Sequence, residues 1–206
     1  MSYVLEDEKE FERLERQSKT RLYSPDRELD GIDFSAARRI LDAGSGSGIV
    51  SRLLATKYPN ADVHGIEQSE LRVKRAQRES VGLKNLHFKA GSVTEIWESP
   101  NTFDAAVCRF VLEHMPHDLA KTALNEIRRC LRPGGELVVI DIDGLFQNLY
   151  PRTPRIENFL CLLQKLPNFD MHVGRKIPSW MAEAGFEDVQ WRIDPMEIRG
   201  DVLVVE

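Results

Sequence analysis

The chain has 206 residues, of which 42% are hydrophobic and 30% charged, with 13 Gly and 10 Pro. That length suits about one domain with its own core, and the composition excludes disordered, collagen-like and low-complexity architectures. Lys and Arg (28) fall short of Asp and Glu (33), a net charge of −5, which disfavours binding built on neutralised phosphates and favours small-molecule chemistry. Cys108, Cys130 and Cys161 are too few and too far apart for a disulfide framework or a zinc site, and they suit a cytoplasmic setting. The N-terminal MSYVLEDEKEFERLERQ is acidic with no apolar run, so it reads as neither a signal nor a transit peptide. No stretch has the ~18 apolar residues of a membrane span.

Residues 5–22 read as a charged amphipathic helix with a thin stripe of Leu5, Phe11, Leu14, Ser18 and Leu22. After a loop with Pro25 and Gly31, strands and helices alternate. RRILDAG is a strand, GIVSRLLATKYP a helix, DVHGIE a strand, and SELRVKRAQRESVGL a helix with Ser69 as N-cap and Gly82 as stop. LHFKAG and FDAAVCRF are strands, HDLAKTALNEIRRCLRPGG a helix and ELVVIDID the fifth strand. This order over residues 38–143 predicts an α/β fold, a doubly wound, mostly parallel, Rossmann-like sheet with helices on both faces. After Asp143 the rhythm breaks: GLFQNLYPRTP is a long loop of the kind used for lids, and RIENFLCLLQKL and IPSWMAEAG are helices. FEDVQWRID and VLVVE read as the last two strands. The expected division is an N-terminal helical lid segment over 1–35 and a main domain over 36–206, with an insertion at about 144–175.

The strongest signal is Ile40-Leu41-Asp42-Ala43-Gly44-Ser45-Gly46-Ser47-Gly48, a glycine-rich turn between a strand and a helix. Missing side chains let the backbone approach a ligand at the carboxyl end of the strand, where open α/β sheets bind. The dinucleotide pattern needs Gly at 49, where Ile49 stands, and the P-loop needs a Lys that is absent. Glu67 ends the second strand, where a carboxylate can accept both hydroxyls of a ribose lying over the glycine loop. No Arg or Lys cluster flanks the loop to hold a pyrophosphate. A ligand with ribose and base but no phosphate fits, and S-adenosylmethionine is such a ligand, with S-adenosylhomocysteine as its product.

Here the chain resembles the class I S-adenosylmethionine-dependent methyltransferases. LDAGSGSG is similar to their first motif and HGIEQS to the second, ending in the ribose carboxylate Glu67; HFKAGSV resembles the adenine-holding segment, and FDAAVCRFVLEHMPH and LRPGGELVVID the later motifs. Within the family, the chain is similar to small-molecule enzymes of the ubiquinone/menaquinone-biosynthesis type. The resemblance implies a cofactor site of Tyr3, Gln17, Ala43, Gly44, Ser45, Gly46, Gly48, Glu67, Gln68, Ser92, Val93, Arg109 and Phe110, with Arg109 beside the methionyl end. It also implies that Tyr3, Gln17 and Tyr23 belong to a lid. Ser92 departs from the family, which usually has Asp there; a hydroxyl accepts from the adenine amino group more weakly than a carboxylate.

Methyl transfer from a sulfonium is an in-line displacement needing no covalent enzyme intermediate, so no nucleophilic triad is required. A base helps where the acceptor must lose a proton. His114, His117, Asp143 and His172 are the candidates, His114 first, each with a plain alternative as a structural or solvated side chain. Tyr150, Phe146 and Leu149 either line an acceptor pocket or pack a lid. No metal-ligating cluster is evident. The expected function is methyl transfer to a small-molecule acceptor at O, N or C, with no nucleic-acid or membrane partner. The alternatives are a non-catalytic cofactor-binding module, an aminopropyl-type transferase, and a nucleic-acid or protein methyltransferase.

Overall fold

The computed structural model describes residues 8–20, 23–144, 147, 150–166 and 168–195. These divide into two compact units: residues up to 32 with those from 190 onward, and Asp33–Val189. The first unit holds α1 (Glu8–Ser18) and the short α2 (Pro25–Glu28). In it the Arg192 guanidinium donates to the carbonyls of Glu28 at 3.1 Å and Asp30 at 3.4 Å.

The second unit is the sheet domain. Its strands are β1 (Arg39–Ala43), β2 (Asp62–Glu67), β3 (Leu86–Ala90), β4 (Phe103–Arg109) and β5 (Leu131–Ile140), in the order β3-β2-β1-β4-β5. Every pairing is parallel. The helices α3 (Ile49–Lys57) and α4 (Glu70–Glu79) carry the chain outward from β1 through β2 to β3; α5 (His117–Cys130) joins β4 to β5. Right-handed crossovers then place α3 and α4 on one face and α5 on the other. Side-chain alternation on β1 agrees: Asp42 reaches Ser51 of α3, whereas Leu41 and Ala43 join the core with Ala120, Leu124 and Ile127 of α5. Ile40, Leu41, Ile66, Val63 and Val107 are fully buried, each contributing roughly 1.5–3 kcal/mol of transfer free energy. Those unbroken apolar runs mark strands covered on both faces.

After β5 come α6 (Pro154–Leu163), capped by Thr153, and α7 (Ile177–Glu183), whose buried Ile177 and Trp180 extend the α5-side core. Ser69 caps α4 as its sequence predicts, accepting from the Arg72 N–H at 3.3 Å. One expectation is corrected. FEDVQWRID forms no strand: Asp188 has φ of +53°, incompatible with extended backbone, and Trp191 and Ile193 are 69% and 66% exposed. VLVVE lies outside the described residues.

Candidate active site

The order β3-β2-β1-β4-β5 reverses direction at the β1–β4 seam, and the carboxyl ends of these strands form the crevice where such sheets bind ligands. The glycine loop enters it first. The Gly44 and Ser45 N–H groups both donate to the Ile66 carbonyl at 2.9 Å, and the Gly48 N–H closes the turn on Ser45 O at 2.8 Å. Gly44, Gly46 and Gly48 have φ of +82°, +55° and +81°, the region open to glycine without strain. Their surroundings differ. A Cβ on Gly44 would stand 2.4 Å from Val111 Cγ2 and one on Gly48 2.6 Å from Phe88 Cζ, but one on Gly46 would meet nothing within 4 Å. Gly44 and Gly48 therefore serve packing, whereas Gly46 borders open space.

Ser45 and Ser47 are buried, and their hydroxyl oxygens have no hydrogen-bond partner. An unpaired buried hydroxyl costs roughly 1–3 kcal/mol, so two in one loop call for a partner, either a water or a bound molecule. Glu67, 8% exposed, braces the loop: its Oε2 accepts from the Gly46 N–H at 3.0 Å and its Oε1 from the Ser69 N–H at 2.9 Å. A carboxylate has about four acceptor positions, so two remain open for further donors. Gln68 is exposed beside it. The Ser92 hydroxyl closes its own turn, 2.7 Å from Thr94 Oγ1 and accepting from the Thr94 N–H at 3.2 Å, while Val93 is buried in the core.

Beneath the loop, Asp42 is 1% exposed and accepts from Ser51 Oγ. Burial pushes its carboxyl up to about 6, against the opposing pull of the Ser51 hydrogen bond and the Arg109 charge. Arg109 ends β4, its guanidinium carbon 4.2 Å from the Phe110 ring centroid. Phe110 has φ of +54° and donates its N–H to Ile140 O at 2.8 Å. A bulky residue held there stores about 1–3 kcal/mol, a pattern found where a side chain is aimed for function.

The turns after β4 and β5 are rich in carboxyl groups. Glu113 lies in the single turn of 3₁₀ helix Leu112–His114, and Asp141 follows β5. Asp141 Oδ2 accepts from the N–H groups of Leu112 at 3.0 Å and Glu113 at 3.3 Å; Oδ1 accepts from Ile142 N–H at 2.9 Å. Glu113 Oε1 is 3.1 Å from His114 Nε2, and the His114 ring lies 5.6 Å from that of Phe169. Burial, then the Glu113 charge, holds the Asp141 carboxyl well above the usual carboxylate range. Between Asp141 and Asp42, burial and both charges push the Cys108 thiol up.

The remaining candidates are more scattered. Asp143 is held bidentately by Arg175, at 2.7 and 3.3 Å. The His172 N–H donates to Asp170 Oδ1 at 3.0 Å, and its buried Nδ1 has no hydrogen-bond partner. The His117 ring packs tilted against that of Trp180, with centroids 4.8 Å apart, and Tyr150 stands 96% exposed. Gln17 is on α1 in the first unit, its Oε1 accepting from Arg13 at 2.8 Å. Tyr23 also belongs to that unit. Tyr3, Phe146 and Leu149 lie outside the described residues. Sequence reasoning missed Glu113 and Asp141. The signal was there in the carboxylates of VLEH and VVID, but it needed the adjacency of β4 and β5 to become a pair.

Residues 40–135 match a family model described as a methyltransferase domain. The chain is 30% identical over 198 residues to "Methyltransferase str3" of Strobilurus tenacellus, covering 90% of this chain and 68% of that protein. It is 33% identical over 110 residues to a ubiquinone biosynthesis O-methyltransferase of Paracidovorax citrulli, covering 52% of this chain and 44% of the relative. Among solved structures, the S-adenosylmethionine-dependent methyltransferase SibL in its apo form shares the fold with a TM-score of 0.70 and 22% identity, covering 94% of this chain and 57% of that one. The chain thus spans only part of these relatives' lengths.

Proposed function

The chain belongs to the class I S-adenosylmethionine-dependent methyltransferase family, and from that premise we propose that it methylates a small organic acceptor at oxygen, nitrogen or carbon. The observation that carries the site is Glu67, buried, spanning the turns after β1 and β2, with two acceptor positions left beside the open face of Gly46. When bound, S-adenosylmethionine supplies a methyl carbon activated by a sulfonium charge. Glu67 takes the ribose hydroxyls, the bare backbone at Gly46 permits close approach, and the Ser45 and Ser47 hydroxyls supply further polar partners. Arg109 suits the carboxylate of the methionyl end, and its charge keeps the buried Asp42 carboxyl from rising further.

At the acceptor end the residues align the acceptor, exclude water and move a proton. His114, held by Glu113, is positioned to take a proton from an acceptor hydroxyl. The local charge supports a small acceptor over a nucleic acid: Glu113, Asp141, Asp143 and Asp170 are set against Arg175 and Lys176, which Asp143 and Asp170 already engage. A relative named for ubiquinone biosynthesis by O-methylation supports oxygen as the first atom to test. Three free thiols support a cytoplasmic setting. Among the described residues no helix is long and apolar enough to cross a membrane.

The test is transfer of a labelled methyl group from S-adenosylmethionine in parallel reactions with phenols, catechols and amines, total tRNA, and a protein extract. Label in a small product supports the proposal, and label in tRNA or protein overturns it. Cofactor binding with no label anywhere favours the non-catalytic module. The roles that the resemblance implies for Tyr3 and Gln17 belong to this proposal. If they hold, deleting residues 1–24 lowers affinity for S-adenosylhomocysteine.

A further inference from the structure

We propose that Glu113 and Asp141 hold a single proton between them, and that this pair is a positioning device that sets the tautomer and ring orientation of His114. The role of His114 toward the acceptor rests on the methyl-transfer reading above; the proton pair itself does not.

The accounting of donors leads there. Asp141 is supplied with three, the N–H groups of Leu112, Glu113 and Ile142, shared over both its oxygens. One of those donors is the backbone of Glu113 itself, which sets the two acidic residues side by side, and the Glu113 charge is among the causes that raise the Asp141 carboxyl. Glu113 is 7% exposed; its Oε1 faces His114 Nε2 at 3.1 Å, and its Oε2 is buried with no donor toward it. Two ionised carboxylates held side by side with little water between them repel each other, whereas one proton turns the clash into a hydrogen bond. That proton gives Glu113 Oε2 the partner it otherwise lacks.

The groups around the pair supply no cation. Cys108, on β4, is a buried thiol pushed toward its neutral form, with Asp42 beyond it. Asp170 sends its N–H to Glu113 O at 2.8 Å but turns its carboxylate to Lys176, at 2.5 Å, and to the His172 N–H. Among the described residues neither member of the pair has a Lys or Arg ion-pair partner. The side chain within ion-pair distance of Glu113, among the described residues, is that of His114. With Glu113 Oε1 as a fixed acceptor, Nε2 carries the imidazole proton. Loss of the shared proton at alkaline pH puts two charges against each other and loosens the turn that carries His114.

The test uses the full-length protein without an acceptor. Infrared spectroscopy reads protonated carboxyl groups, and nitrogen NMR reads the His114 tautomer, assigned with His114→Asn. The wild type at neutral pH is expected to show a protonated-carboxyl band that disappears in Glu113→Gln. That variant should keep the Nε2–H tautomer, because its amide donates to Asp141 and its carbonyl still accepts from His114. Glu113→Ala should lose both the band and the tautomer preference. If it does not fold, the comparison of wild type with Glu113→Gln stands alone. A wild type without the band, or with a band unchanged in Glu113→Gln, overturns the pair. An Nε2–H tautomer that persists in folded Glu113→Ala overturns the positioning role. S-adenosylhomocysteine titrated into the same samples reports separately on the methyl-transfer reading, since failure to bind would remove that reading and leave the infrared result intact.

Discussion

The Gly46 N–H donates to Glu67 Oε2 at 3.0 Å, so the proposed ribose acceptor is also the brace of the glycine loop. The other oxygen accepts from Ser69, at the N-cap of α4. Truncation to Ala therefore removes the acceptor of two backbone donors before any ligand is considered. Glu67→Ala should lower the stability of the free protein by about 1–3 kcal/mol, the cost of a buried donor left unpaired. Glu67→Gln, which keeps one oxygen acceptor, should lose less. Urea unfolding without ligand reads both, and an Ala variant as stable as wild type would deny the brace.

The loop glycines Gly46 and Gly48 should separate by phenotype. Gly48→Ala, like Gly65→Ala, drives a Cβ to within 2.6 or 2.5 Å of the Phe88 ring and should cost about 1–3 kcal/mol of stability through overpacking. Gly46→Val meets no protein atom within 4 Å, so its cost is mainly that of a left-handed residue, about 1–2 kcal/mol. It should nonetheless abolish binding of S-adenosylhomocysteine. Retained binding in Gly46→Val would make the loop a plain turn.

Asp42 predicts a pH dependence of definite sign. Its folded pKa, about 6, lies above the ordinary 3.8, so the folded state binds the proton more tightly than the unfolded one. Stability from this group is complete below pH 4 and falls as pH rises to about 6, by roughly 3 kcal/mol at most. Carboxylates held low by hydrogen bonds and ion pairs, such as Asp104 and Asp170, act in the opposite sense, so the contribution is read as a difference. Asp42→Asn should gain on wild type between pH 4 and 6 in urea unfolding. Curves that stay parallel across that window would contradict the shift.

Much of the fold was legible because buried strands such as RILDA and DAAVC are short apolar runs bounded by Gly, Pro and polar residues. Ser69 was legible as a cap because a hydroxyl before a charged helix has a local function. FEDVQWRID misled because alternation of Val189, Trp191 and Ile193 imitates a strand, while the left-handed turn at Asp188 leaves no mark in the pattern. The site was legible where chemistry is local, at the glycine loop and Glu67. Gly46 could not be told from Gly44 and Gly48, since the difference lies in Val111 and Phe88, far off in sequence. Glu113 and Asp141 meet only because β4 lies against β5, with Arg109 opposite Ile140.

Arg109 can be distinguished from Glu67 by ligand fragments. If Arg109 serves the methionyl carboxylate, Arg109→Met should weaken S-adenosylhomocysteine by roughly 10- to 100-fold, as expected for a charge-assisted bond of about 1.5–3 kcal/mol. It should leave 5′-methylthioadenosine, which lacks the amino-acid end, unaffected. Equal losses for both ligands would place Arg109 elsewhere.

The most direct test of the cofactor site is calorimetric titration of S-adenosylhomocysteine into wild type and Glu67→Gln at pH 7.5, where the glutamine variant keeps an acceptor for the loop but loses the charge toward the ribose. One site per chain in the wild type, weakened by roughly tenfold or more in Glu67→Gln while the unfolding midpoint stays close, is the predicted result. No binding heat in the wild type, or the same affinity in both proteins, would contradict the placement of the nucleoside over the glycine loop.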